Sequence, residues 1–339
     1  MKKYRKIEKM CDNEQLYFHE HRVQVVFFCL YACIFIVGVG GNLLVLYVIL
    51  GNKHMRTTIN LYLLNLATSD IIMSVFASSM FMGRWRFLGH GDWMCKLTHT
   101  SITLSVCVST FTLAAIAVNR FLAVFYPFRS RNHALTRTIA IIFCLDLAAI
   151  IITLPRAVVI NNDDIHCKAT WSIVSRKVYV SFLKISQFAI PFTIIVICYT
   201  SIIIKLRHRC PGRSESMTTE QMKEEAARNK RINKILITVT VLFGICWIPD
   251  QLNLVIRELN SRVKCWELSE LILYIFHVIA MSSTCYNPFL YGLMNPAFKA
   301  EFAKLWSCAR ENLERENDSG FVEERIRIEE CTTDATGLD

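Results

Sequence analysis

Seven stretches of this chain are apolar for long enough to cross the roughly 30 Å hydrocarbon layer of a bilayer, which takes about 20 helical residues. Residues 23–50, 97–119 and 271–298 contain no Asp, Glu, Lys or Arg. Four more stretches carry one charge each: 57–83 with Asp70, 138–155 with Asp146, 178–204 with Lys184 and 235–256 with Asp250. In hydrocarbon the backbone has no water to bond to, so each such run is expected to close its hydrogen bonds within itself as a helix. The pattern predicts an all-α, integral membrane bundle of seven transmembrane helices.

The connecting segments carry patterns of their own. Residues 1–22 are polar and form a short tail ahead of the bundle, which occupies 23–298. Between spans 5 and 6, Pro211-Gly212 and a Ser/Thr stretch precede a Glu/Lys/Arg/Ala-rich run at 220–231, which favours extending the sixth helix beyond the bilayer. After span 7, Phe298, Phe302, Leu305 and Trp306 recur at i, i+4, i+7 and i+8, the spacing of an amphipathic helix over 296–308 that lies on the membrane surface. Residues 309–339 are charged, lack periodicity and read as a disordered tail.

Composition agrees with the pattern. Of 339 residues, 53% are hydrophobic, too many in runs too long for an ordinary soluble domain. The net charge of +10 does not point to nucleic acid, because the basic residues flank apolar spans, where anionic lipid headgroups and an acidic protein partner are nearer. Taken together, the loops after spans 1, 3 and 5 are more basic than those after spans 2, 4 and 6, which places the first set in the cytoplasm. An odd number of spans then puts the N-terminus outside and the C-terminus inside. Lys2, Lys3, Arg5, Lys6 and Lys9 oppose that orientation and are partly offset by Glu8, Asp12, Glu14 and Glu20. No cleavable leader is evident in the pattern, and span 1 is expected to serve as its own insertion signal.

Ionisable groups at membrane depth are candidates for function by default, since a bare charge there is costly unless paired or hydrated. Asp70 is the first of these. Pro249 and Pro288 each remove a backbone donor inside a helix and are expected to kink it. No pairing of nucleophile with base and no metal-ligating cluster supports an enzyme.

The motifs stand in an order that resembles the rhodopsin-like family of G-protein-coupled receptors over roughly residues 24–308. Gly41-Asn42 lies in span 1 and Asn65-Leu-Ala-Thr-Ser-Asp70 in span 2. Trp85 and Cys95 precede span 3, which ends in Asn119-Arg120-Phe121. Pro191 and Tyr199 follow in span 5, Phe243-Gly-Ile-Cys246-Trp247-Ile-Pro249 in span 6 and Asn287-Pro288-Phe-Leu-Tyr291 in span 7. The resemblance implies that an extracellular ligand is felt at Trp247 and swings the cytoplasmic half of the sixth helix outward. Arg120 would then receive a heterotrimeric G protein, with Tyr199 and Tyr291 closing beneath it, and arrestin and a receptor kinase would be further partners. It also implies a small pocket at Asp70, Ser109, Trp247 and Asn287 that holds a sodium ion in the resting state. Ser283 and Thr284 depart from the family's usual Asn and Ser beside that pocket.

Other departures concern the switch and the fourth span. Asn119 stands where an acid usually precedes the arginine, and Asn229 where an acid on the sixth helix can restrain it. Two charge-assisted partners of the resting state are therefore replaced by amides, which predicts raised basal signalling. The usual Trp of span 4 is absent, and Asp146 near its place is expected to bond hydroxyls of span 2 or 3.

For the ligand, Ile102 occupies the span 3 position where amine receptors of the family carry Asp, and Met281 the position of the retinal-linking Lys of opsins. The polar candidates are Lys184, Asp250 and His277, with Glu258 further out. Two readings stay open: Lys184 and Asp250 form an internal ion pair, or Asp250 or Glu258 receives an Arg, Lys or terminal amine of a peptide. Trp85 and the run Phe111 to Val118 look like the neuropeptide branch, which includes neuropeptide Y-like, tachykinin-like and amidated-peptide receptors. A lipid or other small nonpeptide ligand is the alternative within the class, and an ion or proton transporter using Asp70, Asp146, Lys184 and Asp250 is the remote one outside it.

Of fourteen cysteines, Cys29, Cys33, Cys107, Cys144, Cys198, Cys246 and Cys285 lie inside spans, where a free thiol packs as a small apolar group. The resemblance implies a disulfide between Cys95 and Cys167. Cys11 and Cys265 are the other external cysteines and are candidates for a second bridge. Cys308, just after the amphipathic stretch, is a candidate for palmitoylation, since an acyl chain adds to a marginal membrane hold.

Overall fold

The computed structural model describes residues 21–83, 92–126, 134–163, 166–169, 171–207, 219–260, 263, 266, 268–307 and 310. Seven helical spans are long and apolar enough to cross a membrane. In chain order they begin with α1 (His21–Gly51), α2 (Thr58–Gly83), α3 (Asp92–Phe125) and α4 (Ala134–Val159). The fifth span is one rod of three pieces, α5 (Ile173–Lys184), a π-helical turn (Ile185–Ala189) and α6 (Ile190–Arg207). The sixth is α7 (Thr219–Leu259) and the seventh α8 (Ser269–Met294). Chain compactness divides the molecule at residue 290 into two units, and the second, from Tyr291, contains the short helix α9 over 296–307.

The helices run further than their apolar cores. At its N-terminal end α7 extends through the charged run that precedes span 6, as the helix-forming residues there favour. At the other end of the sequence, the apolar run expected to continue to residue 298 is broken: α8 stops at Met294, and Asn295 separates it from α9. The reason is local, since Pro296 disfavours helical backbone at the residue before it. Within the second unit, Phe298 lies between Tyr291 and Phe302, with ring centroids 5.8 and 5.9 Å apart, and Lys304 pairs with Glu301 at 2.9 Å. Trp306 is 77% exposed, an apolar ring left for the bilayer interface.

A two-stranded antiparallel hairpin interrupts the helical pattern between spans 4 and 5. β1 (Ile160–Asp163) pairs with β2 (His166–Ala169), with Asn162 opposite Cys167, and β1 packs beside α3. Nothing in the sequence reading anticipated it, because four-residue strands are too short to show an alternating pattern.

Polar groups are buried inside the bundle among apolar ones, and apolar side chains cover its outside. Ile36 and Phe143 are each 68% exposed, whereas Asn42, Ser74, Ser109, Thr110 and Thr284 are completely buried. Apolar surface on this scale suits lipid as the solvent, and polar groups shut away from it must bond one another. α3 is central, packing on α2, α4, the fifth span and β1.

Pro288 shows how the backbone is satisfied. Its missing N–H leaves the Thr284 carbonyl without a helical donor, and Asn42 Nδ2 donates to that oxygen at 2.9 Å and to Gly38 O at 2.8 Å. Gly41 allows the approach: a Cβ there would stand 2.9 Å from Pro288 Cγ, closer than real contacts permit, whereas one on Gly40 would meet nothing within 4 Å. The fifth span handles Pro191 differently. The Ile190 N–H reaches back to Ile185 O, and the widened turn brings Gln187 inward to donate to Thr103 O at 3.3 Å.

Gly41→Ala is therefore expected to destabilise the bundle by about 1–3 kcal/mol through overpacking, and Gly40→Ala to leave it unchanged. The thermal transition of each purified variant in detergent checks this.

Candidate functional site

The sequence-predicted residues fall into a mid-bundle polar core, an aromatic column beside it and a charged group towards the far end of spans 5 to 7. In the core, Asp70 on α2 is 2% exposed and accepts from Asn287 Nδ2 on α8 at 2.7 Å. Asn287 directly precedes Pro288, one turn after the Thr284 carbonyl that Asn42 bonds. Ser109 shares a hydrogen bond of 2.9 Å with Ser69, whose hydroxyl also reaches Ser105 O at 2.8 Å. Thr284 is occupied by Ser74, which donates to it at 3.1 Å. Ser283 accepts from Trp247 Nε1 at 3.1 Å, so the residue that departs from the family pattern fixes the indole of span 6 to span 7. Among the described residues, no group of three or more His, Cys, Asp and Glu could hold a metal ion.

Trp247 heads an aromatic column. Its ring lies 5.8 Å from Phe243 on the same helix and 6.3 Å from Phe188 on the fifth span. Phe192 lies 6.0 Å from Phe188 and 6.5 Å from Phe243. Aromatic pairs at such spacings attract beyond their area burial, and Gly244 makes room for Phe192, since a Cβ there would come within 3.1 Å of that ring. Sequence reasoning missed Phe188 and Phe192. Their spacing of four residues across Pro191 was the available signal.

Beyond the column, on the last turns of α7, the charged residues are arranged more specifically than the sequence allowed. Lys184 and Asp250 do not pair directly. Gln251 stands between them, its Oε1 accepting from Lys184 Nζ and its Nε2 donating to Asp250 Oδ2 at 3.0 Å. Asp250 is 2% exposed, and its other carboxylate oxygen has no protein partner. Glu258 pairs through one oxygen with Arg176 of α5 at 2.9 Å. His277 on α8 bonds Tyr31 on α1 at 2.5 Å, with the rings 5.8 Å apart. Arg257 ties spans 6 and 7 through Ser269 O at 3.0 Å and Glu270 at 2.5 Å. Ile102 is partly buried on α3.

Asp146 is partly buried and accepts from Asn65 Nδ2 at 3.1 Å, and the same nitrogen is 3.1 Å from Thr112 Oγ1. A polar node thus joins spans 2, 3 and 4 where a Trp was expected, and its donor is an amide rather than a hydroxyl. At the far end of α3, Asn119 and Arg120 are partly buried, and Tyr199 on α6 and Phe243 on α7 are buried. Tyr291, at the start of the second unit, is also buried. Cys95 lies in the first turn of α3 and Cys167 in β2, but their side chains are outside the described part, as are Cys11, Cys265, Cys308, Trp85 and the side chain of Asn229.

Replacing Asp146 with Leu strands the Asn65 amide, and a loss of about 1–3 kcal/mol is expected, whereas Asp146→Asn keeps an acceptor and is expected to lose less. Thermal denaturation of the two variants separates them.

Comparison with known proteins follows the same order of residues. The chain matches the family described as 7 transmembrane receptor (rhodopsin family) over residues 41–291. It is similar to the RYamide receptor of Tribolium castaneum, 30% identical over 306 residues that cover 82% of this chain and 79% of that one. It is also similar to Neuropeptide FF receptor 2 of Mus musculus, 28% identical with 84% and 73% covered, and to Galanin receptor 2a of Danio rerio, 30% identical with 85% and 80% covered.

Proposed function

The chain belongs to the rhodopsin family of seven-transmembrane receptors, a multi-pass membrane protein and not an enzyme, and from that premise we propose that its ligand is an extracellular peptide. The peptide enters at the end of the bundle that holds Asp250, Lys184 and His277, with the N-terminus of the chain outside the plasma membrane. It moves the cytoplasmic half of α7 outward about Pro249 and so opens the end that holds Arg120 to a heterotrimeric G protein.

The observation that carries this reading is the carboxylate of Asp250. It lies one turn from Trp247, is shut off from solvent, and engages the protein through only one of its oxygens. A buried acceptor left open has a strong preference for a cationic or N–H donor, which an Arg, Lys or terminal amine of a peptide supplies and a wholly apolar lipid does not. The relatives named for RYamide, neuropeptide FF and galanin support the same class. From Asp250 the signal has a continuous route: the Trp247 indole, its bond to Ser283 on span 7, and the rings of Phe243, Phe192 and Phe188. Asp70 with Ser109 remains the proposed sodium site, Cys95 with Cys167 the proposed outer bridge, and Cys308 the proposed acylation point. Arrestin and a receptor kinase are the proposed later partners.

Short basic peptides assayed against a panel of G-protein sensors are expected to drive nucleotide exchange. Asp250→Asn is expected to cost an active peptide about 2 kcal/mol or more, at least roughly thirtyfold in potency, while Glu258→Gln costs little. Equal potency in Asp250→Asn and the wild type would overturn the assignment of the carboxylate. Asn119→Asp places a carboxylate beside Arg120 and is expected to lower ligand-free exchange, and an unchanged basal rate would count against the switch reading.

A further inference from the structure

Resting on the peptide-receptor reading, we propose that the outer end of the bundle contains a second subsite, built by Arg156 and Trp171, that binds an acidic group of the ligand. Arg156 lies in the last turn of α4, one residue after Pro155. Its Nε is shut off from solvent and has no hydrogen-bond acceptor, and among the described residues no carboxylate pairs with its guanidinium. Trp171, at the entry to α5, has the same deficiency: its indole Nε1 is enclosed and without an acceptor.

The two donors belong to one neighbourhood. Trp171 packs its ring on Tyr179, centroids 4.6 Å apart, and the Tyr179 hydroxyl donates to Ile152 O at 3.1 Å, one turn before Arg156 on α4. Tyr179, Arg176, Lys184 and His99 are all within electrostatic reach of Arg156. Among the described residues, the acids near this end each have a partner for at least one oxygen. Glu258 holds Arg176, Glu270 holds Arg257, and Asp250 reaches Lys184 through Gln251. Among the described residues Arg156 therefore has no carboxylate partner, and a planar guanidinium and an indole N–H, each near Tyr179, are donors suited to an oxyanion.

Two oxyanions have the required chemistry, a carboxylate on the peptide and the phosphate of a membrane lipid. Position favours the peptide. Lys184 is bonded to Gln251 on α7, and His99 is within reach of His277 on α8, so the groups around Arg156 face spans 3, 5, 6 and 7. The ligand thus carries a donor for Asp250 and an acid for Arg156.

The test uses the full chain in nanodiscs of neutral phosphatidylcholine, with purified G proteins and two libraries of short basic peptides. Both are amidated at the C-terminus and identical except that every Glu of one is Gln in the other. Active sequences are expected to contain Glu, and their Gln counterparts to lose at least about tenfold in potency. Arg156→Gln is expected to abolish that preference and Arg156→Lys to keep most of it, so misfolding of the first variant leaves the second as the arbiter. Equal potency of Glu and Gln members overturns the subsite while the peptide reading stands. A preference that survives in well-expressed Arg156→Gln overturns it by placing the acid elsewhere. The lipid alternative prevails if anionic phosphatidylglycerol raises the thermal transition of the wild type, but not of Arg156→Gln, with no preference for Glu. Silence from both libraries across all G proteins removes the peptide reading, and the subsite with it.

Discussion

A proline inside a membrane helix creates a debt that only another helix can settle, and in this protein the settlement organises the bundle. Pro288 takes a donor from the Thr284 carbonyl; Asn42, on the first span, provides one in its place. That bond needs the backbones to come close, hence Gly41 against the Pro288 ring. Asn287, the next residue back, meets the Asp70 carboxylate on the second span with its amide. The first, second and seventh spans are thereby joined through Asp70 and two consecutive pairs, Gly41-Asn42 and Asn287-Pro288. Where no water competes, such bonds have few alternatives, so the arrangement is specific as well as stabilising.

The same solvent logic explains the small polar nodes set among the apolar side chains of the interior. Ser69 bonds Ser109 and the Ser105 carbonyl, Ser74 bonds Thr284, Trp247 bonds Ser283, and Asp146 shares Asn65 with Thr112. Apolar packing contributes less to holding helices together in lipid, because the lipid tails are as apolar as Leu. Against this background the enclosed groups that have no partner stand out. Asp250 Oδ1, Arg156 Nε and Trp171 Nε1 are three of the enclosed polar atoms without a hydrogen-bond partner, and they lie at the end of the bundle away from Arg120. The Trp247 column starts beside Asp250 and leads away from it into the bundle, so a change in how Asp250 is satisfied is felt at the indole first.

The sequence by itself determined the number of spans and the lone ionisable residues within them, because these follow from local composition. Asp70 and Pro288 were singled out for that reason and Trp247 and Asn287 by resemblance to the family, and the structure bonds Asp70 to Asn287 and Trp247 to Ser283 on the same span as Asn287. Tertiary structure decided what those residues are bonded to. An ion pair of Lys184 with Asp250 was one of two open readings, but a glutamine one residue further along α7 stands between them, and no pattern in the chain marks a neutral side chain as a bridge. Glu258 looked free until Arg176 came within 2.9 Å of it. Arg156 and Trp171 drew no notice, since a loop-flanking arginine is ordinarily solvated. What sets them apart is enclosure without an acceptor, a property of packing between helices that no single segment encodes.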